Sequence, residues 1–336
     1  MSADAGPGPT RPPIPTPPPV TAAIDVIVPA SLAGSRLDAA AALLSGLSRR
    51  VVADMVAAGG VRLDGRAVAL RSTPVRAGQR LEVDPPPATG TEPAPDPSVP
   101  FRVVYEDDDV VVVDKPAGVV VHHGAGHAGG TLVDGLLARF ADLGDLAAAG
   151  VGDPLRPGIV HRLDKGTSGL LVVARSPRAY DSLVEQLRER SARRRYVALV
   201  VGAIPDEAAT VDAPIGRSSR RRTTMAVTTR GRPARTTYEV TARYVDPVPC
   251  TLVAATLDTG RTHQVRVHMS AIGHPVVGDD RYGSGAGRPP ALRAVMEPGR
   301  LFLHAAYLSI EHPAGGRATW ESPLPDDLAA VLARLS

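Results

Sequence analysis

The chain has 336 residues, of which 43% are hydrophobic and only 3% aromatic, so we expect about two domains with cores built from Val, Leu and Ala. The single cysteine, Cys250, excludes an internal disulfide and a cysteine metal cluster, and the absence of a long apolar run or a signal-like start predicts a cytoplasmic protein. The formal net charge is only +3, but residues 186–235 hold twelve arginines against four acids, which is typical of a polyanion-binding face or of a solvated charged face.

Three segments of different composition follow from the start of the chain. Residues 1–22 are rich in Pro and Gly and have no apolar periodicity, which predicts a disordered tail with partial polyproline character. Residues 23–84 predict a small α+β domain in which two helices are followed by short strands. Residues 85–100 contain many prolines and predict a semi-rigid linker to a larger domain over 101–336.

The small domain carries basic residues on its predicted helices. Ser35 and Ser48 are predicted N-caps, and Arg36, Arg49 and Arg50 lie directly after them. The arrangement resembles the S4 RNA-binding module, and the resemblance implies that these arginines contact RNA phosphates. A small accessory domain with ordinary surface arginines is the alternative interpretation.

A glycine-rich segment in the larger domain allows a different functional hypothesis. Residues 124–129 fit the pattern G-x-G-x-x-G and precede a helix predicted at 132–140, which is typical of a dinucleotide site. Such a fold needs a further buried strand that ends in an acid about twenty residues later, and residues 142–157 predict no strand. The neighbouring histidines have no acidic or cysteine partner at metal-ligand spacing. We therefore expect neither a cofactor nor a metal, with a dinucleotide-dependent enzyme as a less favoured alternative.

Residues 158–175 place a dense polar turn between two apolar runs. The run at 159–160 is predicted to end one strand, and the run at 170–174 is predicted to be a buried strand. Asp164 is the one acid in this turn, and Arg162 and Lys165 lie on either side of it. Such side chains on a loop between core strands are typical of a functional site, although a solvated turn aspartate fits the same spacing.

The run His-Arg-Leu-Asp-Lys-Gly-Thr-Ser-Gly-Leu-Leu, residues 161–171, resembles the catalytic signature of RNA pseudouridine synthases. The branch it resembles acts on large ribosomal RNA and some transfer RNAs, and residues 115–118 and 259–269 also follow its pattern. The resemblance implies that Asp164 is the essential aspartate, that Tyr196 stacks on the target uracil and that Arg266 pairs with the aspartate. It also implies an α+β fold with a central mixed, mainly antiparallel sheet flanked by helices and loops.

The remaining predicted elements lie in the second half of the chain. Ser176 and Pro177 predict the start of a helix that runs to about residue 190. The side chains predicted to face inward from this helix are Tyr180, Leu183, Val184 and Leu187. Strands are predicted at 193–200, 236–245 and 251–257, with a long arginine-rich loop at 216–235. Two further helices are predicted, one capped by Thr262 and ending near residue 273, and one at 324–335.

The sequence therefore predicts an enzyme that isomerises uridines in RNA, with 23S ribosomal RNA as the favoured substrate. A carboxylate at position 164 is ionised at neutral pH without an activating base, which suits a nucleophile. Attack on ribose C1′ and removal of a ribose proton to give a glycal both stay open. The predicted RNA contacts of the larger domain are Arg162, Lys165, Arg221, Arg222, Arg261 and His263. We expect a monomer without membrane contact or an obligatory protein partner. A non-catalytic RNA-binding protein is the main alternative, but it gives no reason for Arg266.

Overall fold

The structure is a computed structural model that describes residues 24–45, 49–84, 92–124, 129–221, 223–283, 291 and 296–336. The predicted tail at 1–22, the predicted cap Ser48 and Arg222 lie outside the described residues. The chain divides into two compact units, Met1–Thr89 and Gly90–Ser336. Within the described ranges, every helix is too short or too polar to cross a bilayer.

The smaller unit is a four-stranded antiparallel sheet with two helices. Its strands are β1 (Ile24–Ile27), β2 (Val61–Leu63), β3 (Arg66–Ala67) and β4 (Arg80–Val83), in the spatial order β1-β4-β2-β3. The helices α1 (Leu37–Ser45) and α2 (Arg49–Ala57) bury Leu37, Val52 and Met55 in one core with Leu81 of β4. The strands β2 and β3 form a tight hairpin because Asp64 and Gly65 both have positive φ angles. Apolar residues on both helices therefore pack together with the sheet.

The larger unit is built on one nine-stranded sheet. Its strands are β5 (Arg102–Glu106), β6 (Val110–Lys115), β7 (Ser168–Ala174), β8 (Arg193–Val201), β9 (Ala208–Asp212), β12 (Arg235–Tyr244), β13 (Cys250–Leu257), β14 (Leu303–Glu311) and β15 (Arg317–Glu321). The order is β5-β6-β7-β14-β8-β13-β12-β9, with β15 on the far end of β14. Only the β7–β14 pair is parallel among these pairings. The predicted mixed, mainly antiparallel sheet is confirmed.

Helices and a hairpin surround this sheet. The described helices are α3 (Leu132–Arg139), α4 (Asp142–Ala148), α5 (Pro177–Glu189), α6 (Gln264–Ala271) and α7 (Asp326–Leu332), and the hairpin is β10 (Ile215–Arg217) with β11 (Met225–Val227). The strand β7 is buried along its whole length because both of its faces are covered. Leu171 and Val173 belong to the main core, whereas Leu170 and Val172 pack in a second core that includes Leu183 of α5.

Local sequence signals predict some boundaries and miss others. The helix α5 begins as predicted, because Ser176 Oγ accepts the Ala179 N–H at 3.1 Å and Pro177 occupies the first turn. The prediction that Val184 faces inward is wrong, since this side chain is 41% exposed. The predicted strand end at 159–160 is also wrong, because Ile159 forms only an isolated bridge with Val173.

Two predictions near the arginine-rich segment need correction. The segment 216–235 is not a plain loop, because it contains most of the β10–β11 hairpin, and Ile215 packs with Ala234 and with Val267 of α6. Thr262 does not cap α6. The N-cap is His263, which has a left-handed φ of 58°. The Gln264 side-chain oxygen accepts the Arg261 N–H at 3.0 Å. This hydrogen bond closes a turn ahead of the helix, and His263 lies in that turn with its left-handed conformation.

The second half of the predicted linker lies on the larger unit. The Asp96 N–H donates to the Asp134 carbonyl at 3.0 Å, and the Ala94 N–H donates to Asp134 Oδ1 at 3.1 Å. Val99 is buried in the main core. The division between the units, after Thr89, falls inside the predicted linker.

Candidate active site

The order of strands brings the candidate residues together. β14 lies between β7 and β8, and its residue His304 is paired with Ser168 of β7 and with Val197 of β8. Asp164 stands just before β7, and Tyr196 on β8 is therefore near the same point of the sheet. The chain reaches α6 directly after β13, the other neighbour of β8. The polar turn before β7, the middle of β8 and the start of α6 thus surround one region.

A cavity of about 470 Å³ occupies this region. Asp164, Tyr196 and Arg266 all line it. Arg162, Arg261 and His263, which the sequence predicts as RNA contacts, also line it. Its volume is within the range of small-molecule sites, and it is large enough for a single nucleoside.

The carboxylate of Asp164 is held by Arg266 of α6. Arg266 Nη1 donates to Asp164 Oδ2 at 2.8 Å, and the Asp164 side chain is 15% exposed. Asp164 Oδ1 has no hydrogen bond within the described part of the chain, and His263 Nε2 lies 3.8 Å from it. One oxygen of Asp164 is therefore fixed, while the other is available to a molecule in the cavity.

A second carboxylate, Asp279, holds Arg266 from the other side. Arg266 Nε donates to Asp279 Oδ2 at 2.7 Å and Nη2 donates to Asp279 Oδ1 at 3.0 Å, which makes a bidentate pair. The Arg266 guanidinium carbon also lies 5.0 Å from the centroid of the Tyr282 ring. Burial acts to lower the pKa of Arg266, but the hydrogen bond with Asp279 and the charge of Asp164 outweigh it and raise the pKa. The guanidinium stays charged between two acids.

The sequence interpretation missed the role of Asp279. Asp279 was not among the predicted site residues, and it is buried with Oδ1 accepting the N–H groups of Arg281 and Tyr282 at 2.9 and 3.0 Å. The signal that could have identified it is an acid in a Gly-Asp-Asp-Arg-Tyr-Gly turn thirteen residues after Arg266. Sequence spacing alone does not show that the turn folds back onto α6.

The turn that carries Asp164 is fixed through its backbone. The Gly118 N–H donates to the Lys165 carbonyl at 2.7 Å, and Arg300 Nη1 donates to the Gly166 carbonyl at 3.0 Å. A Cβ atom at Gly166 would overlap the carbonyl oxygen of Gly299, so only glycine allows this close approach. The backbone around Asp164 is therefore positioned before any ligand binds.

The two lysines of the chain have different surroundings. Lys115 is fully buried, and its Nζ donates to the carbonyls of Pro116 and Val119, at 2.9 Å each. Burial lowers the pKa of Lys115 to about 7, although the charge of Asp164 acts in the opposite direction. Lys165 is exposed, and its side chain is not part of the cavity wall. The predicted contact of Lys165 with RNA thus has no support from this cavity.

Tyr196 is a buried phenol in the cavity wall. It is 6% exposed, and its backbone is paired with Ala305 of β14 and Ala255 of β13. Burial raises the pKa of Tyr196, the charge of Asp164 raises it further, and Arg194 acts against both. The phenol is therefore neutral at physiological pH.

Two histidines that line the cavity, His161 and His263, have defined hydrogen-bond partners and lowered pKa values. His161 Nε2 accepts the Val172 N–H at 3.1 Å, and burial lowers the pKa of His161 to about 3, so this imidazole is neutral. His263 Nδ1 lies 2.6 Å from the Tyr282 hydroxyl. Burial lowers the pKa of His263 as well, although Asp164 acts to raise it. Neither imidazole is therefore a strong base at neutral pH.

The other predicted RNA contacts lie in several places. Arg162 is exposed, with Nη1 3.2 Å from His122 Nε2, and Arg261 Nε donates to the Pro233 carbonyl at 3.0 Å. Arg221 is exposed on the connection between β10 and β11, whereas Arg222 is outside the described residues. In the smaller unit, Arg36 and Arg49 both pair with Asp38, at 3.0 and 3.2 Å, and the Arg50 side chain is outside the description. These RNA contacts stay predictions.

The glycine-rich segment has no strand after it where a dinucleotide fold would need one. Residues 125–128 are outside the described residues, and α3 and α4 follow them. No strand is present in the described chain between α3 and β7. His123 Nε2 lies 2.8 Å from both carboxylate oxygens of Asp134. The helices leave the dinucleotide hypothesis without structural support, and the contact shows that His123 does have an acidic neighbour, eleven residues away in sequence.

Comparisons with known proteins agree with the resemblance of the polar turn. A family model described as RNA pseudouridylate synthase matches residues 109–271. The chain is 42% identical over 311 residues to ribosomal large subunit pseudouridine synthase D of Nitrosomonas europaea, covering 92% of this chain and 87% of that protein. It is 46% identical over 314 residues to an uncharacterized RNA pseudouridine synthase of Chloroflexus aurantiacus, covering 92% and 93%. A solved structure, human RNA pseudouridylate synthase domain containing 1, aligns with a TM-score of 0.55 at 32% identity, covering 71% of this chain and 89% of that one.

Proposed function

The chain belongs to the RNA pseudouridylate synthase family and is an RNA pseudouridine synthase, and we propose that Asp164 is its nucleophile and large-subunit ribosomal RNA its substrate. The observation that carries the assignment of Asp164 is its contact with Arg266, which is itself clamped by the buried Asp279. No other carboxylate with this arrangement lines the cavity among the described residues.

Pseudouridine formation breaks the bond between ribose C1′ and uracil N1, rotates the base and rejoins it through C5. The reaction needs a nucleophile, a pocket for the base and a proton acceptor, without any redox change. Asp164 Oδ2 is bound by Arg266, so Oδ1 is the oxygen that would face the ribose. It either attacks C1′ or removes a ribose proton to give a glycal, and both routes use the same fixed carboxylate.

Tyr196 is proposed to stack on the uracil ring. Taking a base out of its helix costs a few kcal/mol, and stacking on an aromatic side chain returns about 1–3 kcal/mol. The raised pKa of Tyr196 keeps the phenol neutral. A neutral phenol is a weak base, so its buried position supports stacking more directly than removal of the C5 proton.

The proposed substrate rests on three observations. The Nitrosomonas relative that covers most of this chain is named for the large ribosomal subunit. The smaller unit, with two helices on an antiparallel sheet, carries the exposed Arg36 just before α1 and the exposed Arg49 at the start of α2, as an RNA-binding module of the S4 type would. The cavity rim adds Arg162 and Arg261.

Tritium release from RNA labelled at uridine C5 tests the proposed function. Wild-type protein should release tritium from a large-subunit ribosomal RNA transcript and leave small-subunit transcripts and transfer RNA nearly untouched. Release from transfer RNA alone would overturn the substrate proposal. A non-catalytic RNA-binding protein would bind these transcripts and release no tritium at all.

A further inference from the structure

A second buried arginine in the cavity wall, Arg194, has no carboxylate within 4.0 Å among the described residues. Arg194 is 6% exposed and lies on β8 two residues before Tyr196, so both side chains point to the same face of the strand. Both line the cavity. The flanking Arg193 and Arg195 are exposed on the opposite face.

Arg194 differs from the other buried arginines in its charge balance. Arg266 is paired with Asp164 and Asp279, and Arg300 is paired with Asp327. Arg194 has no ion pair within 4.0 Å in the described part of the chain, and its buried Nε has no hydrogen-bond partner there. A buried charge without a partner costs stability, so a fold keeps one where a ligand supplies the missing partner.

The surroundings of Arg194 leave room for its guanidinium. A Cβ atom at Gly260 would lie 2.8 Å from Arg194 Nη1, so glycine at this position makes space for the charged group. Gly260 precedes Arg261 in the segment that leads into α6 and also lines the cavity. The strand β8 carries the guanidinium, and Gly260 in the segment before α6 leaves the space that it occupies.

We propose that Arg194 binds a carbonyl oxygen of the target uracil and stabilises the negative charge on the base while it is detached from the ribose. This inference rests on the proposed function and deepens it. Tyr196, the proposed stacking residue, is its neighbour on the same face, and the apolar side chains of Leu257 and Leu303 line the same cavity. The exposed Arg162 and Arg232 also line the cavity and are the groups suited to phosphates.

The electron balance of the reaction explains why a cation is useful there. When the C1′–N1 bond breaks, its electron pair leaves with uracil, which becomes a monoanion with charge shared by N1, O2 and O4. If Asp164 attacks C1′, an ester bond between Asp164 and C1′ replaces the C1′–N1 bond. If Asp164 instead takes the C2′ proton, the electron pair of the C2′–H bond forms a C1′=C2′ double bond.

The charge persists until the base is rejoined to the ribose. A pair from the uracil anion then forms the C5–C1′ bond while the ester oxygen leaves or the proton returns to C2′. The C5 proton then passes to a base, and N1 takes up a proton from water to give neutral pseudouridine. The uracil is anionic between these steps in both routes. A donor aimed at its carbonyl oxygen therefore acts on the transition state more than on the bound RNA.

Arg194→Gln tests the proposal, with Arg195→Gln as the matched control. Arg195 is the next residue of the strand, its guanidinium lies 4.9 Å from the Tyr307 ring centroid, and it is outside the cavity. With enzyme in excess over tritiated RNA, Arg194→Gln should lower the single-turnover rate by roughly 10²–10³-fold while the Kd for RNA is unchanged. Arg194→Lys should recover part of this loss, and Arg195→Gln should react at the wild-type rate.

Thermal unfolding separates this role from a structural one. Because Arg194 is a buried charge with no ion pair in the described chain, Arg194→Gln should melt at the same temperature as the wild type or higher. A variant that melts lower or does not fold, or one that folds and reacts at the Arg195→Gln rate, would overturn the proposal.

RNA with a neutral backbone linkage tests whether Arg194 binds the uracil or a phosphate. RNA with a methylphosphonate on either side of the target uridine removes one phosphate charge. If Arg194→Gln weakens RNA binding and this effect disappears on methylphosphonate RNA, Arg194 binds phosphate and the uracil proposal fails. If wild-type protein releases no tritium from any RNA, the proposed function itself fails, which is a distinct outcome.

Discussion

Arg266 and Asp279 form a buried bidentate ion pair, with Nε–Oδ2 and Nη2–Oδ1 distances of 2.7 and 3.0 Å. This pair uses two of the three guanidinium nitrogens, so only Nη1 is left for Asp164. The direction of the Arg266 side chain is therefore set by Asp279, and Asp164 receives a donor whose position is already fixed. Asp279 is thus a positioning residue that acts on the nucleophile through Arg266.

Asp279→Asn should impair both stability and turnover. The amide nitrogen cannot accept a hydrogen bond, so the bidentate pair with the guanidinium is lost, and removing one partner of a buried ion pair typically costs about 3–5 kcal/mol. We expect a lower melting temperature together with slower tritium release under single-turnover conditions. Asp280→Asn is the matched control because Asp280 is exposed on the same turn. Equal rates in the two variants would show that Asp279 does not act on the site.

Asp164→Asn should bind RNA with wild-type affinity and lose turnover completely. The amide keeps the shape of the carboxylate but is a poor nucleophile and a poor base. Filter binding and tritium release measure the two properties separately. Asp145→Asn, on the exposed side of α4, removes the same charge away from the cavity and should leave both unchanged. Residual release by Asp164→Asn above a trace level would assign the chemistry to another group.

Arg266→Lys and Arg266→Ala should differ in activity. A lysine at position 266 can satisfy one acid at a time but cannot span Asp164 and Asp279 with a planar fork. Arg266→Ala leaves both carboxylates without a counter-charge. We therefore expect Arg266→Lys to be partly active and Arg266→Ala to be nearly inactive in the tritium assay, with correctly folded protein verified by circular dichroism. Indistinguishable rates would contradict the role of the ion pair.

The sequence predicts the parts of this molecule that depend on local chemistry. Ser176 and Pro177 mark the start of α5 because capping and a fixed proline φ need only neighbouring residues. The apolar run of β7 predicts a buried strand for the same reason, and the mainly antiparallel sheet followed from the family resemblance. The placement of Val184 failed because α5 buries a narrower face than its apolar pattern indicates.

Long-range geometry explains most of what the sequence does not reveal. The contact between α6 and the turn at Asp279 depends on the path of the chain between them, which periodicity does not encode. The left-handed His263 depends on Gln264 accepting hydrogen bonds from the preceding turn. The missing partner of Arg194 is visible only once neighbouring strands are in place. A run of three arginines, 193–195, gives no indication that its middle member is buried.

Lys115 should make stability depend on pH in the direction opposite to that of a lysine in an ordinary ion pair, whose pKa is raised. Burial lowers its pKa to about 7 in the folded protein, whereas an unfolded lysine titrates near 10.4. Between these values the unfolded chain binds more protons, so stability rises with pH. Below about pH 7 both states are protonated, and the full cost of burying the ammonium is present.

Lys115→Met removes this titration while keeping an unbranched side chain in the core. The difference in unfolding free energy between wild type and Lys115→Met, measured by urea denaturation, should be constant below about pH 7. Between about pH 7 and about pH 10, the unfolding free energy of the wild type should rise relative to that of Lys115→Met. The rise is about 1.4 kcal/mol for each pH unit and amounts to a few kcal/mol at most. A difference that stays constant across this range would mean that Lys115 keeps its proton in the folded protein, with the charge of Asp164 outweighing the loss of hydration.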